Sequence, residues 1–115
     1  MSPAVVIEPD LPISRFVDEV LPLHRYSSFP VAQGQSLLGI LTLEDLKKLP
    51  RAQWRNRQVR DAMRPVDQSM FVKASTNMDD AQELMQRNSV HALAVLGESG
   101  ELVGFLRRGR IRRKK

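Results

Sequence analysis

Two hydrophobic rhythms, one of period two and one of period 3.6, follow each other along the first fifty residues and then return. Residues 4 to 8, Ala-Val-Val-Ile-Glu, form a short β-branched run closed by Pro9 and Asp10, which predicts a strand. Asp10 and Pro12 are helix-start residues, and Ile13, Phe16, Val17 and Val20 then recur at helical spacing until Pro22 ends or kinks the helix near Leu21. Ser28-Phe29-Pro30-Val31-Ala32 predicts a second strand, Gln33 to Ser36 a turn around Gly34, and Leu37 to Leu41 a third strand. A helix opens at Thr42 and is stopped by Pro50. The order is strand, helix, strand, strand, helix.

Residues 51 to 64 break the pattern, with Arg51, Arg55, Arg57, Arg60 and Arg64 among few apolar positions, and read as a connecting segment. Trp54, the lone tryptophan, has the apolar area to pack this segment onto the core, a simpler role than ligand contact. Val59 to Met63 predicts a helical turn before Pro65. The first rhythm then repeats: Met70 to Ala74 as a strand and Asn77 to Asn88 as a helix, with Met78, Ala81, Leu84 and Met85 on one face and Asp79 and Asp80 in the first turn, where the helix dipole favours them. In the same order, Val90 to Leu96 predicts a strand, Gly97 to Gly100 a turn, and Glu101 to Leu106 the last strand.

Gly39 falls on Gly104, Ile13 on Met78 and Phe16 on Ala81 at one common offset, and Phe29 on Leu93 at an offset one residue shorter, so the chain is an internal duplication. A single unit of this size cannot bury both faces of a three-stranded sheet. The expected fold is therefore α+β, two β-α-β-β-α repeats packed about a pseudo-twofold axis, with ligands expected in the clefts between copies. The division is residues 1–50 for the first repeat, 51–64 for the linker, and 65–115 for the second repeat with its tail.

Gly39-Ile40-Leu41-Thr42-Leu43-Glu44-Asp45 carries the first chemical signal. Thr42 at the N-cap and Asp45 three residues on have the spacing of a capping box, in which hydroxyl and carboxylate satisfy two orphan backbone N–H groups reciprocally. The same arrangement delivers a hydroxyl and a carboxylate to a place where a ribose diol and an anionic phosphate could sit.

Composition removes several alternatives. The chain has no cysteine, which excludes disulfides, thiolate catalysis and Cys-ligated zinc, and its two histidines, His24 and His91, come with no metal-ligand spacing. No nucleophile–base pair can be assembled, so an independent enzyme is disfavoured. No apolar run reaches the roughly 18 residues of a spanning helix, and the N-terminus lacks the build of a signal peptide, so a soluble, cytoplasmic chain is expected. The net charge of +5 belongs to the end: residues 107 to 115 hold seven of the 18 basic side chains, leaving 11 basic against 13 acidic before them.

The chain resembles a tandem pair of cystathionine-β-synthase (CBS) domains. The likeness is carried by Phe29-Pro30-Val31 followed by the stretch from Gly39 to Asp45 in copy one. In copy two it is carried by Val59-Arg60-Asp61-Ala62-Met63-Arg64-Pro65, similar to that family's lead-in of valine, arginine, aspartate, any residue, methionine, threonine and proline. Residues 42 to 54 also resemble the segment joining the two CBS units at the cytoplasmic end of bacterial site-2-protease-type intramembrane metalloproteases, whose zinc-binding His-Glu-x-x-His and membrane helices are absent here. The resemblance implies a regulatory module for adenosine nucleotides such as ATP, ADP or AMP, or for S-adenosylmethionine, with no required cofactor. It also implies a homodimer and association with a membrane protease as parent or partner.

By the same resemblance, Thr42 and Asp45 would hold the ribose, and Arg64, Pro65, Val90, His91 and Ala92 would line the base and phosphate side. Arg64 replaces the family's threonine and could pair with a phosphate. His91 could contact phosphate, or be a core histidine in a buried strand. The pseudo-equivalent cleft is degenerate, with Arg107 where copy one has Thr42 and Arg110 where it has Asp45, which predicts a frayed last helix. Tyr26, Ser27 and Ser28 would face this second cleft, with Tyr26 able to stack on a base. The basic tail reads either as a solubilising end or as a contact with an anionic membrane surface. Nucleic-acid binding is the weaker reading, since aromatics make up 5% of residues and none lies among the tail arginines. A pair that has lost its ligand and serves only dimerisation or docking is the remaining alternative.

Overall fold

In the computed structural model, residues 5–24, 26–88 and 90–107 are described. The chain opens with a short helical segment, α1 (Ile13–Arg15), which widens into a π-helical turn over Phe16–Val20, closed by the Leu21 N–H on the Phe16 carbonyl at 3.1 Å. It continues through β1 (Ser28–Gln33), β2 (Ser36–Thr42), α2 (Leu43–Lys48), a 3₁₀ turn over Arg51–Gln53, α3 (Val59–Ala62) and β3 (Arg64–Pro65). The second half runs from a 3₁₀ turn over Gln68–Met70 through β4 (Phe71–Lys73), α4 (Met78–Arg87), β5 (Ala92–Leu96) and β6 (Leu102–Arg107). Two three-stranded sheets result, in the orders β1-β2-β3 and β4-β5-β6. The α+β expectation is met.

The strand expected over residues 4 to 8 is reduced to one parallel bridge between Ile7 and Val31, with the Ile7 N–H on Pro30 O at 2.9 Å and the Ala32 N–H on Ile7 O at 3.1 Å. Pro9 and Asp10 turn the chain away too soon for a ladder to propagate. The same edge of the second sheet is longer, with β4 parallel to β5 over three residue pairs. The opposite edge of the first sheet is filled from the connecting segment, where β3 pairs antiparallel with β2 through Gly39–Pro65 and Ile40–Arg64. A Cβ on Gly39 would collide with the Arg64 carbonyl and sit 3.1 Å from Met63 Sδ, so only glycine lets β3 come this close.

Ile13, Phe16, Phe29, Val31, Leu41 and Val59 form the centre of the first core, with the Phe16 and Phe29 rings edge to face at 5.0 Å. Trp54 packs against this core half-buried and donates its ring N–H to Leu49 O at 3.1 Å, which ties the connecting segment down as expected. In the second half Ala81 and Met85 are buried, but Met78, aligned with the buried Ile13, is 57% exposed. Ile40 of the first sheet packs with Met70, Val90, Ala92 and Phe105 of the second half, and the Leu102 N–H donates to Gln35 O at 2.8 Å. Among the described residues no helix is long and apolar enough to cross a membrane. The frayed last helix expected after Arg107, and Arg110 with it, lie outside the described residues.

Candidate functional site

The first cleft is built where β2 turns into α2. Thr42 ends β2 in extended conformation and is buried, and its hydroxyl accepts from the Asp45 N–H at 3.1 Å, half of the expected capping box. The other half does not form. The Asp45 carboxylate does not turn back to the Thr42 N–H but takes a fork from Arg64, Nε to Oδ2 at 2.7 Å and Nη2 to Oδ1 at 3.3 Å, with Lys48 Nζ at 3.8 Å from Oδ1. A bidentate guanidinium offers a carboxylate more than one backbone N–H can, and β3 pairing places it within reach.

The pair is partly withdrawn from water, the Asp45 side chain 14% and the Arg64 side chain 28% exposed. Burial is the largest influence on the Asp45 carboxyl and pushes its pKa up. The Arg64 and Thr42 hydrogen bonds and the Arg64 and Lys48 charges together outweigh it, and the carboxyl is held below its ordinary value. Beside the pair lies a cavity of about 330 Å3, walled by Asp45, Lys48 and Leu49 on one side and residues 61–65 on the other. That volume is at the small end of the range for small-molecule sites.

Arg64 and Pro65 are thus brought together with Asp45, and Thr42 supports it from behind. Val90 and Ala92 are 5% and 0% exposed and packed on Ile40 and Met70, so their side chains belong to the core. His91 does not lie in a buried strand: it is exposed, precedes β5, and has φ of 55°. Its conformation is set by Asn88, a residue that sequence reasoning passed over as a helix end. Buried at 5%, Asn88 donates from Nδ2 to Ser69 O at 2.7 Å and Ala92 O at 2.9 Å, and accepts on Oδ1 from the Val90 and His91 N–H groups at 3.2 and 2.8 Å. Asn at a helix C-cap was the available signal. Lys48 and Asp61 were also missed; Asp61 lines the cavity while its carboxylate accepts from the Gln58 N–H at 2.9 Å.

The second cleft differs. Arg107 ends β6 as Thr42 ends β2, and its guanidinium lies 3.6 Å from the centroid of the Tyr26 ring and 4.8 Å from that of Phe105. Its Nε donates to Ser28 O at 3.1 Å. Ser28 is buried; Ser27 is exposed and its carbonyl accepts from the Leu43 N–H at 3.0 Å. The Tyr26 face expected to stack on a base is covered by the chain's own arginine. Among the described residues no group of three or more His, Asp or Glu could hold a metal.

Against known proteins, the family model for the CBS domain matches residues 1–51 and 59–115. A candidate zinc metalloprotease of Synechocystis sp. is 30% identical over 81 residues, 70% of this chain; the chain spans 21% of that relative's length. Among solved structures, the CBS-pair protein CBSX2 of Arabidopsis thaliana is 26% identical, covering 95% of this chain and 85% of its own, with a TM-score of 0.79. The same protein has been solved in complex with AMP, with a TM-score of 0.77. The CBS domain of a bacterial CNNM/CorC family Mg2+ transporter in complex with ATP shares the fold at 23% identity and a TM-score of 0.78, over 93% of this chain and 77% of that one. With the family model matched on both repeats and the two-sheet architecture shared with solved pairs, the chain belongs to the CBS domain family, whose members are regulatory modules and not enzymes.

Proposed function

We propose that this chain is a regulatory CBS pair that binds an adenosine nucleotide in the cavity beside Asp45 and Arg64, with one such site per chain. The observation that carries the reading is the placement of a partly buried carboxylate and guanidinium, with Lys48, on the wall of a cavity of about 330 Å3 directly after the β2–α2 junction. In this reading Thr42 and Asp45 serve the ribose, Arg64 the phosphate, Pro65 the wall, and residues 90–92 act through their backbone beside the exposed His91. The AMP complex of the Arabidopsis relative supports the ligand class. The repeats divide as residues 1–50 and 65–115 about the linker 51–64, and nucleotide binding acts by changing how they, or two such chains in a homodimer, pack. The match to a candidate metalloprotease supports a membrane-embedded protease as the regulated partner, with the chain on the cytoplasmic face and residues 107–115 near anionic lipid.

Calorimetric titration with ATP, ADP, AMP and S-adenosylmethionine tests this. Saturable binding lost in Asp45→Ala is expected; absence of binding across the set refutes it. The second reading, a pair kept only for dimerisation or docking, is favoured by Arg107 lying on Tyr26 and by Asp45 being already engaged. Under it, sedimentation shows a stable dimer that no nucleotide alters.

A further inference from the structure

We propose that the Asp45–Arg64 pair makes the cavity selective for ligands that carry a vicinal diol and an anionic phosphate together, and that it excludes neutral nucleosides and cationic adenosine derivatives. This rests on the nucleotide-binding reading above and names its ligand class. The pair faces the cavity with both of its members, and Arg64 grips Asp45 through two hydrogen bonds of 2.7 and 3.3 Å. A ligand offering only hydroxyl donors to Asp45 withdraws from Arg64 the carboxylate that neutralises it. A ligand offering only an anion to Arg64 leaves Asp45 with the Thr42 side and Lys48 at 3.8 Å. Either half-exchange breaks an ion pair whose members are 14% and 28% exposed, and a partly desolvated charge that loses its counter-ion is costlier than an exposed one.

Full exchange avoids that cost. A diol donates two hydrogen bonds to the Asp45 carboxylate while phosphate oxygens take the Arg64 fork, a geometry guanidinium groups accept as readily from phosphate as from carboxylate. Lys48 adds a second cation on the same wall; Asp61, the remaining carboxylate there, is turned to the Gln58 N–H. The ion pair is therefore a double gate that opens to a ligand matching both charges.

The test is calorimetric titration of the full chain with AMP, 2′-deoxy-AMP, adenosine and S-adenosylmethionine. We expect AMP to bind saturably and each of the other three at least about tenfold more weakly, the ratio that one lost charge-matched contact produces. In Arg64→Met the preference for AMP over adenosine falls to within about threefold; Arg64→Lys, which keeps the charge and loses the fork, falls between. Adenosine or S-adenosylmethionine binding as tightly as AMP to the unaltered chain overturns the selectivity and leaves the nucleotide site standing. No binding by any of the four overturns the nucleotide reading itself. The comparison on the unaltered chain decides the matter even where the Arg64→Met chain fails to fold.

Discussion

Replacing either member of the Asp45–Arg64 pair measures what the cleft's ion pair contributes to folding. Two unit charges about 4 Å apart attract by about 4 kcal/mol at an effective dielectric of about 20, exposed pairs realise only about 0.2–1 kcal/mol, and breaking a buried pair costs about 3–5 kcal/mol. With side chains 14% and 28% exposed and two hydrogen bonds, this pair lies between those limits. A coupling of about 2 kcal/mol follows. The assay is a double-mutant cycle of Asp45→Asn, Arg64→Met and the double variant, by urea unfolding at pH 7 followed through Trp54 fluorescence, with unchanged m-values as the check on two-state behaviour. The pH dependence has a fixed sign. Although burial pushes the Asp45 carboxyl up, the bonds and charges of its partners prevail and its folded value is depressed. The contribution is therefore complete above the unfolded value of about 4 and is lost as pH falls through the lower folded value. A coupling under about 0.5 kcal/mol at pH 7, the level of an exposed pair, or one that grows on acidification, refutes the reasoning.

Gly39→Ala pushes a methyl group onto the Arg64 carbonyl and is expected to cost about 1–3 kcal/mol, read as a lowered urea midpoint, together with weakened AMP binding because β3 carries Arg64. Thr42→Ala removes the cap on the Asp45 N–H and should cost about 1 kcal/mol by thermal unfolding, most of it restored in Thr42→Ser. Asn88→Ala deletes four hydrogen bonds from a 5% exposed side chain; a loss of about 2 kcal/mol or more is expected. In nuclear magnetic resonance spectra the Val90 and His91 amide signals should shift with it, and unshifted signals would show that Asn88 does not set that turn.

Much of the fold was legible because the duplication repeats its punctuation. Gly34 and Gly100 take φ of 63° and 83° at matching turns, and both proline-bounded helices start where their caps stand. What local pattern could not supply was pairing across the chain. Residues 4–8 have strand composition, but only Ile7 finds a partner; Arg64 and Pro65 have linker composition, but they complete a sheet because Gly39 leaves room beside β2. The site followed the same division. Thr42 and Asp45 were found by their three-residue spacing, which is local. The Arg64 fork on Asp45, nineteen positions away, and the Arg107 contact with Ser28, seventy-nine away, depend on register between strands that no spacing encodes. His91 was misplaced because Ser89-Val90-His91 continues the apolar run of β5 in sequence, while Asn88 takes both N–H groups of Val90 and His91 and holds the chain in a turn.

The two clefts end their strands at equivalent positions and each is met by an arginine, but the two arginines are not equally exchangeable. Arg64 holds a side-chain carboxylate at the edge of a cavity, and a nucleotide can offer substitutes for both ends of that bond. Arg107 holds a main-chain carbonyl of β1 and lies on the faces of Tyr26 and Phe105. A ligand entering there would have to replace the contact with Ser28 O and uncover the Tyr26 ring before it could stack. It would also meet a cation at the position where the first cleft presents the Thr42 hydroxyl, so nothing accepts the hydrogen bonds of a ribose. The difference lies in one residue at each strand end, Thr42 in β2 and Arg107 in β6. Under the proposed function, that substitution is what reduces a duplicated fold to a single nucleotide site.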